Sequence, residues 1–393
     1  MGLKVLIAPT AFKGSLSPLA AAGAIARGLR AALPDSAELV ERPLADGGDG
    51  TLEVLLHALG GHTRSARVRD PLGREVEAEF GLLEPEGQHR RGHGRVAVVE
   101  MARAAGLARL KPEERDPLRA STYGVGQLVR AALDAQAGEI WLGLGGSATV
   151  DGGAGFLKAL GAKLLDARGR EIPEGGAGLS RLARLDLSTL DPRLRRVRLV
   201  ALLDVRSPLL GPRGARLYMP QKGATPEQCD ALERALARFA EVAHRDLGVD
   251  VRGLPGAGAA GGLGAALALL GAELVPGSAF IAEKLGLRSL VQGCDWVIGG
   301  EGRVDEQTLE GKALAVLAEL AQEAKKPLVV LCGARPPSLD ALHELHKAGP
   351  GLTALLPIVP GPIALEDAMA QARALLEAAG LELGRLIRAL SAL

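Results

Sequence analysis

The chain has 393 residues and sets 47 Lys plus Arg against 46 Asp plus Glu, so its formal charge of +1 offers no excess for a polyanionic partner. Apolar residues at 47% with charged residues at 24% place it among folded chains, because disorder needs low hydrophobicity and high net charge. Aromatics at 2% are too few for the stacking platforms of single-stranded nucleic-acid binders, and the length fits two domains better than one.

Elements in chain order follow one grammar: an apolar strand, a polar Gly-containing loop, then an Ala/Leu-rich helical pattern, which is the alternation of an α/β fold. Leu3 to Ala8 reads as a strand, too soon interrupted by Thr10 and Lys13 for a signal peptide. Ser17 and Pro18 suit the N-cap and first position of a helix that stops before Pro34. Glu38 to Leu44 repeats the pattern, followed by the loop 45–50 and a helix from Thr51 to Gly60-Gly61. Thr63 to Glu100 differs. Arg67 to Gly73 and Glu75 to Leu83 alternate around a turn as a hairpin does, Pro85 to Gly94 is a polar loop with Gln88, His89, Arg90, Arg91 and His93, and Val96 to Val99 returns as a strand. Further strands are expected at Glu139 to Leu144, Trp296 to Ile298, Leu328 to Leu331 and Leu352 to Ile358, with helices around 312–324 and from about Leu365. The expected division is a doubly wound domain of residues 1–70 plus 285–393 and an inserted mixed-sheet domain of residues 71–284.

Cys229, Cys294 and Cys332 are odd in number and widely spaced, which suits a reduced, cytoplasmic setting. The longest uncharged run, Leu254 to Ala272, contains six Gly and a Pro and lacks the bulky surface of a membrane span. Neither a membrane nor a nucleic acid is expected as a partner.

Four loops carry the chemistry, since loops after parallel strands gather where an open sheet binds ligands. The first, Pro9 to Leu16, offers Lys13, the Ser15 hydroxyl and backbone N–H groups at a helix start, suited to phosphate or carboxylate or simply an ordinary cap. Only 11 of the 47 cations are Lys, so Lys13, Lys222 and Lys312 stand out as point charges in Gly-rich loops. The second loop sets Asp46 and Asp49 three residues apart, either for Mg²⁺ or a substrate hydroxyl, or as a turn with an acidic helix start. In the third, Gly143 to Gly155, Gly145 and Gly146 allow close backbone approach, while Ser147 and Thr149 supply hydroxyls and Asp151 a carboxylate. The fourth, Gly299 to Thr308, places Glu301, Arg303, Asp305 and Gln307 after an apolar strand. Asp204 follows the apolar run Leu199 to Leu203 and is a candidate base at a strand end.

Other signals carry less. Gly256-Ala-Gly258-Ala-Ala-Gly261 satisfies GxGxxG but follows no strand, so helix packing is preferred to a dinucleotide site. His343-Glu-Leu-His346 has the wrong order for a zinc motif and reads as helix decoration. Neither a Walker A sequence nor GxSxG occurs.

At these loops the sequence resembles the bacterial type I glycerate kinase family over nearly its full length. The resemblance rests on Ala11-Phe-Lys-Gly-Ser-Leu16, Ala45-Asp-Gly-Gly-Asp-Gly-Thr51, Thr122-Tyr-Gly-Val-Gly126, Gly145-Gly-Ser-Ala-Thr149 with Asp151-Gly-Gly153, and Pro220-Gln-Lys-Gly-Ala-Thr225. It continues in the Gly-rich run 255–264, Gly300-Glu-Gly-Arg303 with Asp305 and Gln307-Thr308, and Val359-Pro-Gly-Pro362. The resemblance implies two α/β domains, one discontinuous and Rossmann- or flavodoxin-like, with the site in a cleft. It also implies transfer of the ATP γ-phosphoryl group to D-glycerate with Mg²⁺, giving 2-phosphoglycerate.

Under that resemblance, Gly145, Gly146, Ser147 and Thr149 with Glu301 and Arg303 would hold the nucleotide. Lys13, Ser15 and Lys222 would face phosphate or the glycerate carboxylate, and Asp305 and Gln307 would contact substrate. Asp151 or Asp204 would be the base, with Asp46 and Asp49 near Mg²⁺. The chain departs from the family pattern at Thr10-Ala11, where Asp-Ser is usual, at Val150, where Asn is usual, and at Leu203 to Pro208, where the family reads Cys-Asp-Val-x-Asn-Pro. The alternatives are the same kinase making 3-phosphoglycerate, an NAD-dependent hydroxy-acid dehydrogenase built on Gly256 to Gly261, and a non-catalytic hydroxy-acid sensor.

Overall fold

A computed structural model describes residues 2–83, 94–305, 312–336, 338–348 and 351–390. The chain opens with β1 (Lys4–Pro9), α1 (Pro18–Arg30), β2 (Glu38–Glu41), α2 (Thr51–Leu59), β3 (His62–Arg69), β4 (Glu75–Leu83) and β5 (Arg95–Glu100). Its middle comprises α3 (Ala102–Ala105), α4 (Tyr123–Asp134), β6 (Ala137–Gly143), α5 (Ala154–Ala159), β7 (Lys163–Leu165), β8 (Arg184–Asp186), β9 (Arg198–Leu203), α6 (Pro226–Leu247), α7 (Ala259–Leu269) and β10 (Glu273–Pro276). The last third adds α8 (Gly277–Lys284), α9 (Leu287–Gln292), β11 (Trp296–Arg303), α10 (Ala313–Glu323), β12 (Leu328–Ala334), α11 (Leu339–Ala348), β13 (Leu352–Pro357), α12 (Leu365–Ala370) and α13 (Ala372–Leu390). No helix among the described residues is long and apolar enough to cross a membrane.

Packing divides the chain into two compact units, one of residues 1–46, 53–58 and 278–393, the other of residues 47–52 and 59–277. In the first unit five parallel strands run in the order β13-β12-β11-β1-β2. Numbered within the unit this is 2-1-3-4-5, the flavodoxin-like doubly wound order, whose direction of winding reverses between β1 and β11. Ser17 caps α1 by accepting from Ala20 N at 3.3 Å, with Pro18 at the first helical position as the sequence suggests. Ile25 and Leu29 of α1 then bury against Leu376, Leu383 and Ile387 of α13, each such side chain stabilising by roughly 1.5–3 kcal/mol. The two helices approach closely at Gly28, where a Cβ would fall 2.1 Å from the Glu377 carbonyl oxygen.

The second unit is built on the mixed sheet expected for the middle of the chain, ordered β10-β9-β6-β5-β4-β3. β10, β9, β6 and β5 are parallel, while β4 and β3 complete it antiparallel. The hairpin β3–β4 turns on buried Asp70, which accepts from Leu72 N and Arg74 N at 2.9 Å each. This hairpin straddles the boundary expected at residue 70.

Two strands end elsewhere than expected. β2 stops at Glu41 rather than Leu44, although Arg42 N and Leu44 N still donate to the Ile7 and Pro9 carbonyls at 2.8 and 2.9 Å. β11 does not give way to a loop at Gly299 but runs on to Arg303, pairing Glu301 with Cys332 and Arg303 with Ala334. The glycines there serve packing instead of turning: a Cβ on Gly299 would meet Leu314 and Val330 at 3.2 Å. The Gly256–Gly261 segment likewise packs, as preferred, and opens α7 with non-helical backbone at Ala260, Gly261 and Gly262. His343 and His346 lie on α11, where His346 Nδ1 sits 3.2 Å from the Leu352 carbonyl oxygen. The polar loop residues Gln88, His89, Arg90, Arg91 and His93 lie outside the described residues.

Candidate active site

In the second unit the loop after β6 is shaped by its glycines. A Cβ on Gly145 would fall 2.4 Å from Gly48 Cα, and Gly145 N donates to the Gly47 carbonyl at 3.2 Å. Gly146 adopts φ of +72°, and a Cβ there would meet the Asp49 carboxylate at 3.1 Å. Glycine is therefore required by close approach at the first position and by backbone conformation at the second. The turn is backed from behind by Gly261, also left-handed, whose Cβ would fall 2.0 Å from the Thr149 carbonyl oxygen.

Past this turn the chain buries Lys222. Its Nζ donates to Ser147 Oγ at 2.7 Å and to the Thr149 carbonyl at 2.9 Å. Burial pushes its ammonium down to about 8, opposed by the negative charges of Asp151 and Asp204. Thr149 thus contributes its carbonyl, since its hydroxyl is buried and has no hydrogen-bond partner among the described residues.

Asp151 is fully buried and accepts four hydrogen bonds, from Thr122 N and Oγ1 at 2.8 Å each, Gly153 N at 3.0 Å and Gly155 N at 3.1 Å. Burial raises its carboxyl above the ordinary range against the pull of those donors. Four donors fill the carboxylate's acceptor sites, so Asp151 organises the loop and is withheld from any ligand. Asp204 is different: it follows the last residue of β9 and is only partly buried. Asp204, Gly145, Gly146, Ser147, Tyr218 and Lys222 are among the residues lining a cavity of about 80 Å³. One water needs about 10–15 Å³ on this scale, so the space suits a molecule of a few heavy atoms.

The first unit carries a second, larger cavity of about 560 Å³ beside the reversal point between β1 and β11. Lys13, Ser15, Glu301, Arg303, Asp305 and Lys312 line its polar part. Ile358, Val359, Leu365, Met369 and Leu375 supply an apolar wall. Ser15 Oγ donates to the Phe12 carbonyl at 3.0 Å, and Thr10 Oγ1 to the Gly300 carbonyl at 3.1 Å, fixing the first loop on β11. Burial pushes the Glu301 carboxyl up to about 7; Lys312 and Lys13 pull it down, while Asp46 and Asp305 add to the rise.

The structure therefore sorts the expected site residues into two groups. Gly145, Gly146, Ser147, Asp204 and Lys222 share the small cavity, and Lys13, Ser15, Glu301, Arg303 and Asp305 share the large one. Asp46 belongs to the first unit and Asp49 to the second. Among the described residues no group of three or more His, Cys, Asp or Glu could hold a metal ion. Gln307 lies outside the described residues. Sequence reasoning missed Tyr218, carried on a 3₁₀ turn, and the apolar wall from the C-terminal segment. The rarity of Tyr, two in the chain, is the one signal that could have marked Tyr218.

A family model described as the glycerate kinase family matches residues 5–388. The glycerate kinase of Bacillus subtilis (strain 168) is 44% identical over 377 residues, covering 95% of each chain. The glycerate 2-kinase of Escherichia coli (strain K12) is 44% identical over 344 residues, covering 87% of this chain and 88% of the relative. A crystal structure from Salmonella typhimurium LT2, assigned as glycerate kinase 2, superposes with a TM-score of 0.83 at 41% identity and full coverage of both chains. The chain belongs to the glycerate kinase family.

Proposed function

We propose that the protein transfers the γ-phosphoryl group of ATP to D-glycerate and yields 2-phosphoglycerate. The observation that carries this reading is the small second-unit cavity, which offers one carboxylate, one buried ammonium and a hydroxyl in a space fit for a three-carbon acid. Lys222, fixed by Ser147, receives an anionic group of the acceptor, and the Gly145–Gly146 turn offers backbone N–H groups beside it. Asp204 accepts the proton of the attacking hydroxyl; Asp151, with its acceptor sites filled, does not.

The nucleotide is assigned to the first unit, whose cavity has the volume and mixed lining of a small-molecule site. Its apolar wall receives the base, while Lys13, Arg303 and Lys312 face the phosphates, with Glu301 and Asp305 orienting them. Phosphoryl transfer asks mainly for positioning and charge neutralisation, which these cations provide. Mg²⁺ fits as an ion borne chiefly by the phosphates, for it commonly takes only one or two protein carboxylates, and Asp46, close enough to raise Glu301, would be one. When bound, the ion neutralises charge on the transferring group. Three buried, unpaired cysteines suit a reducing compartment, and we place the protein in the cytoplasm.

Asp204→Asn tests the assignment. It is expected to fold as the parent does, by circular dichroism and thermal melting, and to lose roughly 10²–10⁴-fold in turnover with D-glycerate. Near-normal turnover by the folded variant would overturn the role of Asp204.

A further inference from the structure

The proposed reaction leaves one hydroxyl-bearing wall residue of the small cavity, Tyr218, without a task. Its phenol oxygen lies 3.3 Å from Ser207 Oγ. Both residues are held from outside the cavity. The Ser207 carbonyl accepts from Gly258 N at 3.0 Å, a contact that needs glycine because a Cβ at 258 would fall 2.1 Å from the Pro208 carbonyl oxygen. Tyr218 closes a 3₁₀ turn whose Arg216 bridges Asp230 at 2.6 Å and Glu233 at 2.9 Å on α6. The next turn, Pro220 to Lys222, continues the same wall with Gln221 and Lys222. One stretch, residues 204–222, thus brings Asp204, Tyr218 and Lys222 to one space, with Ser207 Oγ beside the Tyr218 phenol.

A 2,3-dihydroxy acid has three polar ends to match. The ammonium of Lys222 suits its carboxylate, and Asp204 suits the hydroxyl that must lose a proton. A tyrosine O–H that can accept from serine while donating onward suits a hydroxyl that stays neutral. We propose that the Tyr218–Ser207 pair binds the glycerate hydroxyl that is not phosphorylated, and so determines which of the two alcohols meets Asp204. The proposal rests on the glycerate kinase reading given above. In the step it serves, the attacking oxygen gives its proton to Asp204 and forms the new O–P bond. The bond from the γ-phosphorus to the ADP oxygen breaks, and the hydroxyl at Tyr218 keeps its proton. Tyr218 is then a binding residue and Ser207 a positioning residue acting through it.

The test uses the full chain carrying Tyr218→Phe, with D-glycerate, ATP and D-lactate, which lacks the terminal hydroxyl. The variant is expected to raise KM for D-glycerate about tenfold, the effect of one lost hydrogen bond to a buried partner, and to leave KM for ATP within about twofold. The inhibition constant of D-lactate stays within about twofold, since that ligand has no hydroxyl to lose there. Phosphorus NMR of the product shifts from a single phosphoglycerate to a mixture of the 2- and 3-isomers. Ser207→Ala moves the isomer ratio the same way, and Ser207→Thr, which keeps a hydroxyl, restores it. A product ratio and glycerate KM unchanged in Tyr218→Phe would overturn the proposal, as would equal losses toward glycerate, D-lactate and ATP. Wild-type protein without glycerate-dependent turnover would overturn the kinase reading itself and this assignment with it, whereas an unchanged variant of an active wild type overturns this assignment alone.

Discussion

At the residue scale, the environment of Lys222 makes a definite statement about pH. An ordinary lysine ammonium holds its proton to 10.5, but burial brings Lys222 down to about 8. Between those values the unfolded chain binds more protons than the folded one, so this group's contribution to stability rises with pH. Over the same window the cavity loses its cation. Activity and stability should therefore move in opposite directions: kcat/KM for glycerate is expected to fall about tenfold per pH unit above pH about 8, with no matching fall in melting temperature from this group. Lys222→Met should be poorly active and lack that limb. A wild-type profile flat to about pH 9.5 would show that the ammonium is not needed.

The same scale shows what residue types could and could not reveal. Asp151 reads as the carboxylate of a Gly-rich loop and Asp204 as a polar residue just beyond an apolar run, and either could serve as a base. What separates them is that Asp151 is fully buried under four donors whereas Asp204 lines the cavity, and Thr122, which supplies two of those donors, lies 29 residues away in the chain. Sequence spacing holds no record of such a contact.

At the element scale, the alternation of apolar strand, glycine loop and capped helix was legible because each part is local chemistry, as at α1, where Pro18 follows Ser17 and Ser17 Oγ accepts from Ala20 N at 3.3 Å. Glycine was harder to read, since it serves turns and close packing alike. At Gly299 and Gly300 it signalled packing within β11, and the loop expected there begins only after Arg303. Gly261 combines both uses, with φ of +65° and the Thr149 carbonyl directly in the path of a Cβ. Gly261→Ala is therefore expected to cost at least ~2 kcal/mol and lower the melting temperature, and to weaken activity because the Thr149 carbonyl holds Lys222. Gly253, which has open space around it, is the control; Gly253→Ala should stay within about 0.5 kcal/mol of wild type. Equal melting temperatures for the two variants would contradict this account of the turn.

At the scale of the whole molecule, strand order explains why loops distant in sequence meet within each unit. In the first unit the reversal between β1 and β11 brings Lys13 and Ser15 into one cavity with Glu301 and Arg303, almost 290 residues on. In the second, parallel β6 and β9 end side by side and bring the Gly145 turn to Asp204. The alternation of elements implied a doubly wound domain, and the resemblance implied that it is Rossmann- or flavodoxin-like. The apolar wall of the larger cavity was hidden, because Ile358, Leu365 and Met369 look like any core-facing residues until the fold leaves a space beside them.

The measurement that tests the central claim most directly is ADP release by the purified protein with Mg-ATP and D-glycerate, L-glycerate or no acceptor, followed by phosphorus NMR of the product. The account predicts ADP only when D-glycerate is present, with the phosphate on the secondary hydroxyl. Folded protein that releases no ADP with D-glycerate, or releases it equally without an acceptor, would contradict it.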